Sequence, residues 1–231
     1  MEDNNFSIQG LIDEHVMKEQ SERVEKKMTS WHASGLGSCM TGRYLARKGE
    51  ILNEPYDPRT LRVFKIGKKL EDWFIELLNE RTDIETKMQG RVEWKEMDLT
   101  GYYDLYVKKG DKELIYELKT RNSRAFWWMI KKGEGPNIQH VKQLWTYLNF
   151  YKVNEGRLLY IEKDTLTTAE FPVFLNNEQI RKEVIDELTL LNSAWKAQLP
   201  PEPVRDPKDW RYKYCSFHLH CLKQPEYYII K

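Results

Sequence analysis

Apolar positions recur at helical spacing over residues 61–81, where Leu70, Trp73, Phe74, Leu77 and Leu78 follow the i, i+3, i+4, i+7, i+8 rule. The stripe predicts a long helix with Glu71 at its border, where a carboxylate can face a cleft beside the core. A thinner stripe of Leu11, Val16 and Val24 predicts a mostly polar helix over residues 9–28, followed by a loop over 31–37 and a second helix from 38 to 48. Three strand-like segments come next, at 84–96, 101–108 and 113–119, with a hairpin turn at Lys108-Lys109-Gly110-Asp111 between the last two. Residues 120–135 read as an irregular basic and aromatic loop. Pro136 suits the first turn of a helix running to 152, whose core face is Val141, Leu144, Trp145 and Leu148. Strands at 157–163 and 168–174 and a helix at 177–198 precede Pro200-Pro201-Glu202-Pro203, which breaks the helix and begins an extended linker. The order predicts an α/β protein, a mixed sheet flanked by helices. Its expected parts are a helical N-terminal segment (1–50), a core (51–199) and a Pro-rich linker with a cysteine-containing C-terminal segment (200–231).

Composition adds limits. A chain of 231 residues suits one domain with appendages, and 40% apolar with 32% charged residues is the balance of a soluble globule. The net charge of +1 argues against a generic polyanion binder, so a nucleic-acid surface has to come from local clustering. Met1-Glu2-Asp3-Asn4-Asn5 is acidic with no apolar core, and no stretch approaches the ~20 apolar residues of a membrane span. A cytoplasmic protein is expected, in which three cysteines are thiols or metal ligands before they are disulfides.

The candidate chemistry lies in residues 101–147: Gly101-x-x-Asp104, Glu117-Leu118-Lys119, and His140-x-x-Gln143-x-x-x-Tyr147. Side chains alternate along a strand, so Glu117 and Lys119 project together while Leu118 points into a core. If 101–108 pairs with 113–119 across the turn, Asp104 comes within reach of Glu117. Two carboxylates at one point attract a hard divalent cation, and a lysine beside them can work on an attacking water and offset phosphate charge. Taken alone, the same three side chains also suit a solvated strand face with an ion pair.

Together these motifs resemble the PD-(D/E)xK nuclease superfamily, and within it the RecB-like exonucleases, similar to the CRISPR-associated RecB-like adaptation nucleases and their phage and viral relatives. The resemblance runs from about residue 34 to 221. It implies a restriction-endonuclease-like fold and a magnesium- or manganese-dependent deoxyribonuclease, exonucleolytic and favouring single-stranded or free DNA ends. Asp104 and Glu117 match the family's metal-binding acids, the Leu118 carbonyl adds an oxygen, and Lys119 matches the family lysine. Gly67-Lys68-Lys69-Leu70-Glu71 fits the upstream helical motif with Glu71 as its acid. Gln143 and Tyr147 fit the supporting Q-x-x-x-Y motif, and His140 the histidine that often precedes it. The expected partners are recombination or CRISPR-adaptation proteins. The alternative is a non-cleaving DNA-binding adaptor or complex subunit that keeps the fold.

Two segments extend the picture. Residues 119–132 carry five basic residues and no acid, and Arg121, Arg124, Lys131 and Lys132 with Trp127 and Trp128 suit phosphates and bases of a single strand. The competing expectation has Phe126, Trp127 and Trp128 tucked into the core. Cys39, Cys215 and Cys221 resemble the family's N-terminal cysteine and its C-terminal W-x-C-x-x-C-x5-C frame, with Tyr212 at one cysteine position. The resemblance implies an iron–sulfur cluster, which usually takes four thiolates. The fourth place falls to His218, His220, an exogenous ligand or nothing; a Cys3His zinc site is the alternative, and thiols that merely pack are the third. In each case Cys39 and the C-terminal segment should meet.

Overall fold

The computed structural model describes residues 7–22, 28–50, 56–218 and 221. Helix α1 (Ile8–Ser21) starts at Ser7, whose side chain accepts the Gly10 N–H. A short strand β1 (Trp31–His32) and a 3-10 turn at Ala33–Gly35 occupy the expected loop, and α2 (Met40–Lys48) follows. Helix α3 (Pro58–Asn79) combines a capping aspartate, Asp57, with proline in its first turn.

The strands form two sheets. Strands β2 (Glu85–Met88), β5 (Leu105–Lys109), β6 (Lys112–Arg121), β7 (Glu155–Glu162) and β8 (Thr168–Phe174) make a mixed five-stranded sheet in the order β2-β5-β6-β7-β8. Strands β3 (Arg91–Trp94) and β4 (Leu99–Tyr102) join β1 in a three-stranded sheet of order β1-β4-β3. Helices α4 (Ser123–Lys132) and α5 (Ile138–Tyr151) form the crossover between the parallel β6 and β7, α6 (Glu178–Ala197) follows β8, and α7 (Trp210–Lys213) is a single turn. This is the expected α/β, restriction-endonuclease-like arrangement of mixed sheet and flanking helices. Among the described residues no helix is long and apolar enough to cross a membrane.

Strand β6 divides the core by alternation. Leu118 packs with Ile75 of α3, Leu105, Leu159 and Ile161 on one face. Ile115 lies on the other, in the larger core with Leu144, Trp145 and Leu148 of α5, Phe126 and Met129 of α4 and Val184, Leu188 and Leu191 of α6. Glu117 and Lys119 therefore share the α5 face.

Four expectations change. The segments expected as single strands at 84–96 and 101–108 each break, at Gln89-Gly90 and at Tyr103-Asp104. The breaks lie side by side: Tyr103 N–H donates to Gly90 O at 3.2 Å and Gln89 N–H to Asp104 O at 3.1 Å. One two-stranded arm thus bends from the large sheet into the small one. Gly90 makes the bend possible, because a Cβ there would lie 2.2 Å from the Tyr103 ring. Residues 120–135 are not irregular: Asn122 caps α4, accepting Ala125 N–H at 2.8 Å, and the helix ends at Gly133 with φ 65°. Helix α3 is rotated from the expected stripe, with Gly67 and Ile75 buried but Trp73 and Leu77 42% and 44% exposed. Gly67 lets the helix approach β6, since a Cβ there would stand 3.1 Å from Thr120 Oγ1, and the line Gly67–Glu71–Ile75 turns inward. Finally, Pro201 and Pro203 are buried, and Thr41 Oγ1 donates to Pro201 O at 2.8 Å, so this stretch lies along α2 instead of spanning free space.

Candidate active site

The bend in the arm creates the site. Leu105 stands opposite Tyr116, so the register carries Asp104, the first residue off the strand, to the level of Glu117. Asp104 Oδ2 accepts the Leu118 N–H at 2.8 Å, which fixes its carboxylate against β6. Lys119 Nζ reaches Glu117 Oε1 at 2.5 Å, with the glutamate side chain 2% and the lysine 24% exposed. Glu117 Oε2 is buried without a hydrogen-bond partner among the described residues.

Electrostatics follow from that burial. Desolvation pushes the Glu117 carboxyl up to about 8; Lys119 opposes the rise, and the charges of Asp104 and Glu71 add to it. Burial likewise raises Asp104, against the pull of Lys119 and the Leu118 N–H. Glu71 is raised by burial and then by Asp104. For Lys119, burial works against the ammonium, yet Glu117, Asp104 and Glu71 hold it above its usual value. Three carboxylates and one ammonium thus sense each other in a buried corner, with the Lys68 charge also acting on Asp104 and Glu71.

The donors fit a hard divalent cation in kind: they are oxygens, and one of them is buried and without a protein partner among the described residues. They do not form a finished shell. Among the described residues no three His, Cys, Asp or Glu side chains are gathered as a group that could hold a metal ion. The Leu118 N–H is taken by Asp104, and its side chain is buried on the opposite face.

Gln143 and Tyr147 are buried, not partly exposed, and Gln143 Nε2 donates to Tyr147 Oη at 2.9 Å. Burial, with the Glu117 charge behind it, raises the phenol above its usual value. Tyr147 lies directly on Gly101: a Cβ there would meet Tyr147 Cε1 and the Ala33 Cβ at 2.9 Å each. The glycine of one motif is therefore the seat for the tyrosine of another. Gly101→Ala is expected to destabilise the fold by about 1–3 kcal/mol, read as a drop in denaturation midpoint with an unchanged denaturant slope.

His140 is half-buried, with Nδ1 at 2.8 Å from the hydroxyl of Tyr160. Burial, then the charges of Lys119 and Arg121, lower the imidazole to about 3, so the ring is neutral. Arg121 lies over the Tyr160 ring, 5.0 Å from its centre. The sequence reasoning missed Tyr160, because in an apolar strand it reads as core alone. On α4, Phe126 and Met129 are buried while Arg124, Trp127, Trp128, Lys131 and Lys132 are exposed. Lys132 Nζ stands 5.1 Å from the Trp128 ring centre, and Trp128 Nε1 donates to Glu134 at 2.8 Å.

The cysteines meet beside α2. Cys39 shares a hydrogen bond with Cys215, which lowers Cys39 to about 5 and, with burial, raises Cys215: a pair holding one proton tightly. Gly42 leaves room for them, since a Cβ there would lie 2.9 Å from Cys215 Sγ. Cys221 is close enough to act on Cys215 electrostatically. His218 turns Nδ1 to the Cys215 carbonyl at 3.0 Å, its ring tilted 6.0 Å from that of Tyr212. His220 lies outside the described residues.

A bent arm delivering Asp104 to an E-x-K strand, backed by a Q-x-x-x-Y helix and an acid-bearing helix α3, resembles the arrangement expected of the RecB-like PD-(D/E)xK nucleases. The chain is 28% identical over 181 residues to the CRISPR-associated exonuclease Cas4 of Saccharolobus solfataricus, covering 78% of this chain and 80% of that protein. No family model matches. Among solved structures, SSO0001 covers 94% of this chain and 96% of its own with a TM-score of 0.55 at 22% identity. LHK-Exo from Laribacter hongkongensis, in complex with dAMP, covers 77% and 93% with a TM-score of 0.52 at 14% identity. These two likenesses are of fold.

Proposed function

We propose that this protein is a DNA nuclease that hydrolyses phosphodiester bonds as an exonuclease, uses magnesium or manganese, and favours single-stranded ends. The observation that carries the reading is the meeting of Asp104, Glu117 and Lys119 at one corner of the sheet. The exonuclease relative, similar over most of both chains, supports the same activity.

A divalent ion at the carboxylates would polarise a phosphate oxygen and make water acidic enough to attack near neutral pH. Asp104 and Glu117 are the residues that would hold it, with Glu71 and the Leu118 carbonyl beside them. Lys119, charged and tethered to Glu117, orients the nucleophile and offsets charge on the phosphate. Tyr147 and Gln143 brace the Glu117 face from beneath and exclude water from it. Arg121, Arg124, Lys131 and Lys132 supply phosphate contacts, and His140 a polar one. Trp127 and Trp128 offer flat apolar surfaces on which unpaired bases stack.

The test is digestion of labelled linear and circular DNA, single- and double-stranded, with magnesium, manganese or EDTA. Linear single strands should disappear with either metal and persist in EDTA, while circles survive. Trp127→Ala with Trp128→Ala is expected to weaken single-strand binding roughly 10- to 100-fold per lost stacked base, measured by fluorescence anisotropy, with duplex binding much less affected.

A second reading rests on the unfinished ligand shell among the described residues: a subunit that binds DNA in a recombination or CRISPR-adaptation complex without cutting it. Binding without cleavage in either metal selects it. For the cysteines we propose a cluster or zinc site on Cys39, Cys215 and Cys221 with His218 as a candidate fourth ligand. Absorption spectra and metal analysis after anaerobic purification separate brown iron–sulfur protein from colourless zinc protein.

A further inference from the structure

Tyr160 belongs to none of the motifs, yet it stands level with Lys119 across the parallel ladder of β6 and β7 and is fully buried. Its hydroxyl oxygen accepts the Asn137 N–H at 3.1 Å, at the start of α5. Arg121 is stacked on the ring, its guanidinium carbon 5.0 Å from the ring centre. Backbone N–H groups and guanidinium groups only donate. The phenol's own hydrogen is left with one acceptor among the described residues, Nδ1 of His140 at 2.8 Å. That nitrogen must then be bare, which puts the ring hydrogen on Nε2. The opposite tautomer would turn two hydrogens toward each other or strand the phenol hydrogen in a buried place.

Nε2 has no protein acceptor among the described residues, and the ring is only half-buried, so its N–H is left for water or a ligand. Lys119 and Arg121 act on the same ring with positive charge. A ring donor beside two cations, one of them Lys119 already paired with Glu117, is the complement of a phosphodiester.

The geometry points to Tyr160 as a positioning residue that locks His140 as a neutral Nε2–H donor to a non-bridging phosphate oxygen of the nucleic-acid strand entering beside Lys119 and Arg121. The choice of substrate rests on the nuclease reading; the tautomer does not. Tyr160 does two jobs at once, since its hydroxyl fixes the imidazole while its ring carries the Arg121 guanidinium.

Nitrogen-15 ring spectra of the full chain in EDTA read the tautomer directly. The wild type should show the Nε2–H form at His140, and Tyr160→Phe a mixture of tautomers. Glutamine places an amide N–H near the position of Nε2, whereas asparagine reaches only to that of Nδ1. His140→Gln should therefore bind a labelled single-stranded oligonucleotide in EDTA at least tenfold more tightly than His140→Asn. In cleavage with magnesium, the same gap should appear mainly in KM. An Nδ1–H ring in the wild type, or equal losses in the two variants, overturns the inference. Circular dichroism of each variant identifies a loss that is only unfolding, and in that case the wild-type spectrum alone decides. A wild type that binds DNA with the expected spectrum and the expected gap but never cleaves overturns the nuclease reading and leaves the donor assignment standing.

Discussion

Glu117→Gln is expected to stabilise the metal-free protein while removing its activity. The carboxyl is buried, one of its oxygens has no partner, and it keeps its proton up to about pH 8, against the usual 4.5. Between those two values the folded chain holds a proton that the unfolded chain has released. Stability therefore falls as pH rises through this window, by at most about 1.4 kcal/mol per pH unit, and levels off above it. Glutamine keeps the shape, accepts from Lys119 through its carbonyl and never ionises. The variant should melt above the wild type at and beyond the upper end of the window, by roughly 2–4 °C for each kcal/mol gained, and its melting temperature should lose most of the pH slope. Cleavage should drop on the order of 10²–10³-fold or more, as expected when a charge aimed at the reacting centre is lost. Thermal melts in EDTA across the pH range check the first half, and single-turnover digestion the second. A variant that melts below the wild type at high pH would show that the charged pair with Lys119 stabilises the fold more than burial opposes it.

Asp104 separates charge from structure. Asparagine keeps an oxygen to accept the Leu118 N–H and loses only the negative charge; alanine leaves that N–H without its acceptor. Asp104→Asn should melt like the wild type or slightly above it, because burial already raises the carboxyl. Asp104→Ala should cost about 1–3 kcal/mol, the penalty for an unsatisfied buried donor. Both should lose cleavage by on the order of 10²–10³-fold and still bind single strands, since the α4 surface is untouched. Comparing the two melts with the two rates distinguishes a carboxylate needed for chemistry from one needed only to pin the strand.

Much of this arrangement was legible in the chain. Strand alternation alone put Glu117 and Lys119 on one face and Leu118 on the other, and the turn at Gly110 gave the pairing that brings Asp104 alongside. What escaped has physical causes. The α3 stripe was read from side-chain hydropathy, but a glycine set the helix orientation, and glycine carries no hydropathic signal. Trp73 and Leu77 consequently face outward, and Glu71 lies in the inward line instead of at its border. Helix α4 was hidden by its basic and aromatic residues, although Asn122 before it and Gly133 after it are ordinary helix punctuation. The bend at residues 89–90 was signalled by a glycine inside a strand pattern. Tyr160 could not have been found from spacing, because its role depends on a contact with a helix start 23 residues away. The meeting of Cys39 with Cys215 was anticipated from the resemblance alone; composition and periodicity say nothing of it.

The bent arm has a mechanical consequence. Asp104 sits at the elbow where the chain passes from one sheet to the other, and its carboxylate is pinned to β6 by the Leu118 N–H, so the elbow ties the small sheet to the large one at the level of Glu117. The small sheet is anchored from behind: Trp31 Nε1 donates to Asn192 of α6 at 2.7 Å, and Asn192 Nδ2 reaches back to Met97 O at 3.1 Å. A cation held by the two acids would act as a rivet through both layers, and loosening the anchor at Asn192 would slacken it without touching it.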